Sequence, residues 1–177
     1  MTLQDHIKIF YRGERITHAA LAGFGLTCVL GGSAYHYLSN SALSYGVLFG
    51  VGLIGAFQIL VGLVRFIRTF GQFNKAIDSA KNNASYLKEN EFNKIDLLIK
   101  KYHRMRNVES IIFVVAMLIF AIGWALKADK FLLGTAAGLC LHTAMLLVFD
   151  LFSQSRTQEY QHQIGKLIDG YQSEIMK

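Results

Sequence analysis

Two side chains that could carry a proton, His142 and Asp150, stand in an otherwise apolar stretch, CLHTAMLLVFD at residues 140–150. Histidine is the side chain whose charge changes most readily near neutral pH. Gln58 lies at a matching depth in an earlier apolar run, and Thr143 follows His142 directly. Gln58, His142 and Thr143 are therefore candidates for a polar track that conducts protons or ions. The structural alternative, which we prefer, is a neutral His142 that hydrogen-bonds to a neighbouring helix backbone or to Gln58.

The sequence motifs that accompany most enzyme chemistry are missing. The six histidines form no HExxH or HxxxH pair, and there is no glycine-rich phosphate loop, GxSxG or CxxC motif. His18, Glu109 and Asp150 are of types that bind metal ions, but their spacing does not favour a metal site. We therefore predict a protein that is not an enzyme, with no catalytic residue, no metal and no cofactor.

The composition indicates a membrane protein. Of the 177 residues, 53% are hydrophobic and only 17% are charged, and the mean hydropathy is +0.33. A soluble domain has about 25% charged residues. The two cysteines, Cys28 and Cys140, each lie within an apolar run, where a thiol behaves as a small hydrophobic group.

Four apolar runs are long enough to cross a hydrocarbon core of about 30 Å as helices. They cover residues 16–38, 42–64, 108–126 and 131–149. The links within the first pair and within the last pair are too short for anything but a turn. We therefore predict an all-α, polytopic membrane protein, with four transmembrane helices in two antiparallel hairpins and amphipathic cytoplasmic helices. On this scheme the chain divides into a cytoplasmic N-terminal segment at 1–15, a first transmembrane hairpin at 16–69, a cytoplasmic helical segment at 70–107, a second transmembrane hairpin at 108–152 and a cytoplasmic C-terminal helix at 153–177.

The basic residues predict the orientation. Every Lys and Arg except Lys127 and Lys130 lies on the side that holds both termini and the central segment. Cytoplasmic segments are enriched in these residues, so we expect both termini in the cytoplasm. The sequence does not separate a bacterial inner membrane from an organellar one, and we favour the bacterial inner membrane. The net charge of +6 follows from this topology, and we expect no nucleic acid as a partner. The basic cluster at residues 100–106 would also attract anionic lipid, although anchoring alone explains it.

Glycines in the apolar runs predict where helices pack. Small residues allow close backbone approach, which drives helix association in lipid. Gly46 and Gly50 are four residues apart, as are Gly134 and Gly138, and this spacing is typical of helix-packing faces. Whether the contacts lie within one chain or between subunits stays open, and we expect a homo-oligomer or a protein partner besides the lipid bilayer. The predicted helix-packing residues are Gly23, Gly46, Gly50, Gly55, Gly134 and Gly138.

Charged residues at the cytoplasmic ends of the runs predict a polar layer. Ionisable groups near hydrocarbon need partners, so we expect ion pairs of Arg65 or Arg15 with Asp150. We likewise expect Arg106 or Arg68 to pair with Glu109. The predicted layer consists of His18, Arg65, Arg68, Arg106, Glu109 and Asp150.

The polar segments carry apolar residues at helical spacing, at 91–106 and at 156–177. These stripes could pack on each other beneath the membrane or lie on the headgroups, and residues 82–85 are expected to divide the central segment into two helices. Together these features favour a non-enzymatic membrane protein that binds another protein in or beneath the bilayer, such as an immunity-type protein or an accessory subunit. The alternative is a small oligomeric ion channel or a proton-coupled transporter.

Overall fold

The chain forms four long helices. A computed structural model describes the backbone of residues 3–82 and 91–175, and the side chains of residues 4–78 and 91–166. The helices are α1 (Leu3–Ser39), α2 (Ala42–Asn82), α3 (Asn93–Ala125) and α4 (Lys130–Ile175), and these described ranges contain no strand. All four are long and apolar enough to cross a membrane. The prediction of an all-α fold with four helices able to span a bilayer is therefore confirmed.

Each helix continues from its apolar run into polar sequence without a break. The longest, α4, has 46 residues, which at 1.5 Å per residue is about 70 Å, or more than twice the thickness of the hydrocarbon core. The chain contains no proline, which removes the commonest cause of a helix break. The segment boundaries predicted at 15, 69, 107 and 152 accordingly fall inside continuous helices. Asn82 ends α2, and the rest of the predicted break, residues 83–85, lies outside the described residues.

Short connections with their own capping groups join the helices in each pair. Asn40 ends α1 with a left-handed φ of 41°, a conformation that asparagine tolerates well. The Ser41 hydroxyl then accepts a hydrogen bond from the Ser44 backbone N–H at 3.2 Å. At the second connection, the Asp129 carboxylate accepts one from the Phe131 N–H at 2.6 Å. Both are N-caps, which satisfy backbone donors that the first turn of a helix leaves free.

Helices α1 and α2 pack antiparallel with their backbones in close contact. The Cβ of a residue larger than glycine at Gly55 would lie 2.8 Å from the Gly25 carbonyl oxygen. Further along α2, a Cβ at Gly62 would lie 2.9 Å from the His18 carbonyl oxygen. Residue numbers therefore rise on one helix as they fall on the other. Gly55 lies at a contact within the chain.

Helices α2 and α4 run parallel and approach even more closely. A Cβ at Gly50 would lie 2.6 Å from the Thr135 carbonyl oxygen, and one at Gly138 would lie 2.9 Å from that of Val47. Each glycine thus faces backbone, which cannot move aside as a flexible side chain could. This contact joins the α1–α2 pair to the α3–α4 pair. Four of the sequence-predicted helix-packing residues lie in it: Gly46, Gly50, Gly134 and Gly138.

The outer face of α1 is not covered by any other helix in the described part of the chain. Apart from the backbone of α1 itself, no atom of the described residues lies within 4 Å of the position that a Cβ would occupy at Gly23 or at Gly31. Gly23, predicted as a helix-packing residue, is therefore not in contact with another helix among these residues. Thr27, between them, is exposed, and its hydroxyl donates to the Gly23 carbonyl at 3.0 Å.

Side-chain burial is concentrated at the end of the bundle that holds the termini. All four helices contribute to one cluster of buried residues there, outside the four apolar runs. Along the runs themselves, large side chains such as Ile111, Val114 and Leu118 of α3 stay more than half exposed, as expected for a surface that faces lipid. The buried cluster consists of Ile7, Phe10, Tyr11, Ala76, Ile95, Tyr160 and Ile164.

Substitution of Gly50 tests the α2–α4 contact. Gly50→Leu places a side chain against the Thr135 carbonyl, so we expect it to lower the free energy of unfolding by about 3 kcal/mol, the upper end for overpacking. The matched control is Gly71→Leu on the same helix, where nothing lies within 4 Å and leucine favours the helix. Thermal unfolding in one detergent measures both, and equal melting temperatures would contradict the packing described here.

Candidate functional site

A cavity of about 380 Å³ opens at the end of the bundle where the basic residues are concentrated. All four helices contribute side chains to it. Four members of the predicted polar layer line this cavity, namely His18, Arg65, Arg68 and Asp150, whereas Arg106 and Glu109 do not. Glu14, Lys94 and Lys101 add further charges that sequence reasoning had not placed there.

The predicted ion pairs of Asp150 and Glu109 do not form. Among the described residues, neither carboxylate has a cation within 4 Å, and one oxygen of each is buried without a hydrogen-bond partner. Asp150 remains within electrostatic range of Arg65 and Arg106. The predicted layer is therefore a set of neighbouring charges, and the expectation of direct pairing was wrong.

The arginines that were expected to pair with these acids make other contacts. The Arg15 guanidinium lies over the Phe70 ring at 4.8 Å, an interaction between a cation and the face of an aromatic ring. Arg106 donates a hydrogen bond to Gln154 Oε1 at 3.0 Å, and another of its nitrogens lies 3.1 Å from His103 Nδ1. Rotation of each helix about its axis turns these side chains away from the carboxylates.

A different ion pair ties α1 to α4. Arg156 donates to Glu14 Oε1 at 2.7 Å and to the Thr17 hydroxyl at 2.9 Å. His18 Nε2 lies 3.5 Å from the other Glu14 oxygen. Gly13 makes room for the arginine, since a Cβ there would lie 2.7 Å from Arg156 Cδ. The pair spans 142 residues of sequence. The one feature of the sequence that points to this ion pair is the position of Glu14, a single helical turn before His18.

A second polar network joins α1 to the start of α3. The Tyr11 hydroxyl donates to Glu91 Oε1 at 2.7 Å and accepts a hydrogen bond from Lys94 Nζ at 2.6 Å. Lys94 and Glu91 are also paired at 3.5 Å. Burial, and then the negative charge of Glu91, raises the pKa of Tyr11 well above its ordinary value. The phenol therefore stays protonated and keeps donating.

The three residues of the predicted polar track are all buried inside the bundle. Gln58, His142 and Thr143 are 3%, 1% and 2% exposed. The Gln58 amide and both His142 ring nitrogens lack a hydrogen-bond partner, so the expected bond from His142 to Gln58 or to backbone is absent. Thr143 donates to the Leu139 carbonyl of its own helix at 2.7 Å. The His142 ring instead packs against Phe24, with ring centroids 5.5 Å apart.

The arrangement offers charge and shape rather than a reactive group. Within the described part of the chain, no three His, Cys, Asp or Glu side chains come together as metal ligands, so His18, Glu109 and Asp150 do not form such a set. Cys28 and Cys140 are free thiols. What the site offers is a charged cavity at one end of the bundle and two unpartnered polar side chains deeper within it.

No protein-family model, curated protein or solved structure matches this chain.

The Glu14–Arg156 pair can be tested by a double-mutant cycle. Arg156→Gln leaves the buried Glu14 carboxylate without its main partner, so we expect a loss of about 3 kcal/mol in unfolding free energy. Glu14→Gln should also destabilise, and the double variant should lose less than the sum of the two.

The control for this cycle is an exposed pair. Lys100→Gln breaks the ion pair of Lys100 with Asp96, which stands on the outside of α3, and should cost under about 1 kcal/mol. Strictly additive losses at Glu14 and Arg156, measured by thermal unfolding in detergent, would show that the two side chains do not interact.

Proposed function

We propose that this chain is a non-enzymatic integral membrane protein that works by binding another protein in or beneath the bilayer. An immunity-type protein, which neutralises a membrane-acting toxin, and an accessory subunit of a larger complex both fit this description. A second copy of the chain is a further partner that the same surface would accept. One observation carries the proposal: the outer face of α1 has the composition of a helix-packing surface, and no helix of the described residues packs on it.

The outer face of α1 is a stripe of small, exposed residues. Its spacing of three and four residues keeps them on one side of the helix. Leu26 and Leu30, which are 50% and 61% exposed, flank it on one side. The face consists of Ala20, Gly23, Thr27, Gly31 and Ala34.

The rest of the bundle shows how this protein uses such residues. Between α2 and α4, backbone of the facing helix lies at contact distance from Gly46, Gly50, Gly134 and Gly138, and between α1 and α2 it does so from Gly25, Gly55 and Gly62. In lipid, close packing of this kind replaces the hydrophobic drive that is available in water. The outer face of α1 therefore offers a partner helix the same contact that the bundle already makes internally. The bulky outer surface of α3 is better suited to lipid chains.

The distribution of charge supports the orientation that we propose, with both termini in the cytoplasm of a bacterium and the protein in its inner membrane. The cavity with its charged lining lies at the end with the termini. Lys127 and Lys130 are the basic residues at the opposite end. Positively charged segments are retained on the cytoplasmic side.

A second candidate function, a small oligomeric ion channel or a proton-coupled transporter, has one observation in its favour. Gln58 and His142 are buried deep in the bundle, and their side chains have no hydrogen-bond partners. Buried polar groups normally have partners, so water, an ion or a proton would find donors and acceptors here. The primary proposal is preferred because these residues make no hydrogen-bonded chain towards the cavity.

Cross-linking along α1 tests the binding proposal. A photo-reactive side chain at position 27, in the native membrane, should cross-link to a protein, whereas one at position 118 on α3 should cross-link to lipid. Gly23→Leu combined with Gly31→Leu should lower the protein adduct at least about fivefold, which corresponds to about 1 kcal/mol. The control is Ala121→Leu on α3. Cross-links from position 27 that contain lipid alone would refute the proposal.

A flux assay separates the two candidates. The purified protein in proteoliposomes should conduct neither protons nor common ions at any pH, because binding requires no pathway. Conductance that is lost in His142→Phe but kept in the exposed neighbour Leu141→Ala would instead establish the second candidate.

A further inference from the structure

Two of the helices that line the cavity at the charged end, α2 and α3, stay apart along their backbones. Among the described residues, α2 and α3 share almost no backbone contact, although each packs along α4. Residues from both helices nevertheless line the cavity, with Arg65, Arg68 and Thr69 on α2 and Lys101 and Tyr102 on α3. The cavity is therefore bounded in part by two helices whose backbones are not in close contact.

Three cations in this cavity are not engaged by the protein. The side chains of Arg65, Arg68 and Lys101 make no hydrogen bond, and no ion pair within 4 Å, with any residue in the ranges that the structure describes. The remaining lining charges are better satisfied. Glu14 is neutralised by Arg156, and Lys94 is held by Tyr11 and Glu91. Asp150 is a single carboxylate opposite three unpaired cations, so the cavity has a surplus of positive charge.

The other part of the lining is apolar and leads outward. Ile95 and Leu98 form part of the wall, and Leu97 and Met105, which are 66% and 41% exposed, stand on the α3 side of the cavity. The second apolar run ends at residue 64, immediately before Arg65. The unpaired cations thus lie at the level where hydrocarbon gives way to headgroups, with apolar surface beside them.

We propose that this cavity binds a phosphate group, supplied by the headgroup of an anionic phospholipid that enters from the side between α2 and α3. Guanidinium groups match the geometry of phosphate oxygens, and a lysine adds a point charge. The gap between the α2 and α3 backbones and the apolar residues beside it would accommodate the glycerol backbone and the first part of the acyl chains. A free phosphate ester shares the same chemistry and could also reach the cations.

The test uses the full chain purified in detergent and titrated with phosphatidylglycerol or phosphatidylcholine of identical acyl chains, with bound lipid counted by native mass spectrometry. Phosphatidylglycerol should bind clearly tighter than phosphatidylcholine. The variant Arg68→Gln with Lys101→Gln should weaken phosphatidylglycerol binding at least about tenfold, because each basic residue near an anionic headgroup contributes roughly a fivefold effect. Both side chains are exposed, so their loss should leave the melting temperature unchanged.

The matched control removes two cations that lie near the same end but outside the cavity. Arg12 and Arg104 are exposed and do not line it, so Arg12→Gln with Arg104→Gln should keep phosphatidylglycerol binding within about twofold, as expected for screened surface charge. Equal losses in the two double variants would mean general attraction to anionic lipid and would overturn the site. Equal affinity for the two lipids would overturn it as well.

Two further arms complete the experiment. Competition with glycerol 3-phosphate at matched ionic strength identifies the source of the phosphate: displacement of the lipid supports a site that soluble phosphate esters also occupy, and lack of displacement supports a lipid site. If the double glutamine variant unfolds, Arg68→Gln alone replaces it. This variant should weaken phosphatidylglycerol binding about fivefold, and unchanged binding by the folded variant would overturn the site.

Discussion

The backbone contact between α2 and α4 is the interaction on which the rest of the bundle depends. It is the more extensive of the two contacts that join the α1–α2 pair to α4, the other being made by α1, whose Phe24 ring packs against His142 and Phe149. Because lipid is as apolar as leucine, burying large side chains gains little in a membrane, and dispersion between closely spaced atoms must hold the helices together. Glycine at Gly50 and Gly138 allows that spacing, since a Cβ at either position would meet a carbonyl oxygen of the facing helix.

A different kind of packing holds the end with the termini. There, buried aliphatic and aromatic side chains from all four helices form a core of the type found in soluble proteins, as expected where water supplies the hydrophobic drive. Specific polar contacts orient this core: Arg156 with Glu14 between α1 and α4, and Tyr11 with Glu91 and Lys94 between α1 and α3. None of these polar contacts joins α2 to α3, and side chains of both helices line the charged cavity.

The functional proposals follow from what this bundle leaves without a partner. The outer face of α1 has helix-packing residues and no helix, the cavity has cations and no anions that satisfy them, and Gln58 and His142 have polar groups and no hydrogen bonds. Each of these features costs free energy or gives up stability that packing would otherwise provide. A partner helix would cover the outer face of α1, and a phosphate would pair with the cations of the cavity. A water molecule or an ion would supply hydrogen bonds to Gln58 and His142.

The sequence by itself determined that four apolar helices are long enough to cross a membrane, because a run of about 20 apolar residues is a local property that needs no tertiary contact. It also marked Gly46, Gly50, Gly134 and Gly138, since small residues four apart lie on one helix face. Hydropathy sets the depth of a residue but not the rotation of its helix. Arg65 and Asp150 were therefore expected at one level, and they are neighbours, yet no ion pair joins them. Only the tertiary structure decided that Arg156 reaches Glu14, 142 residues away along the chain, because that contact depends on how α1 and α4 turn their faces when they pack.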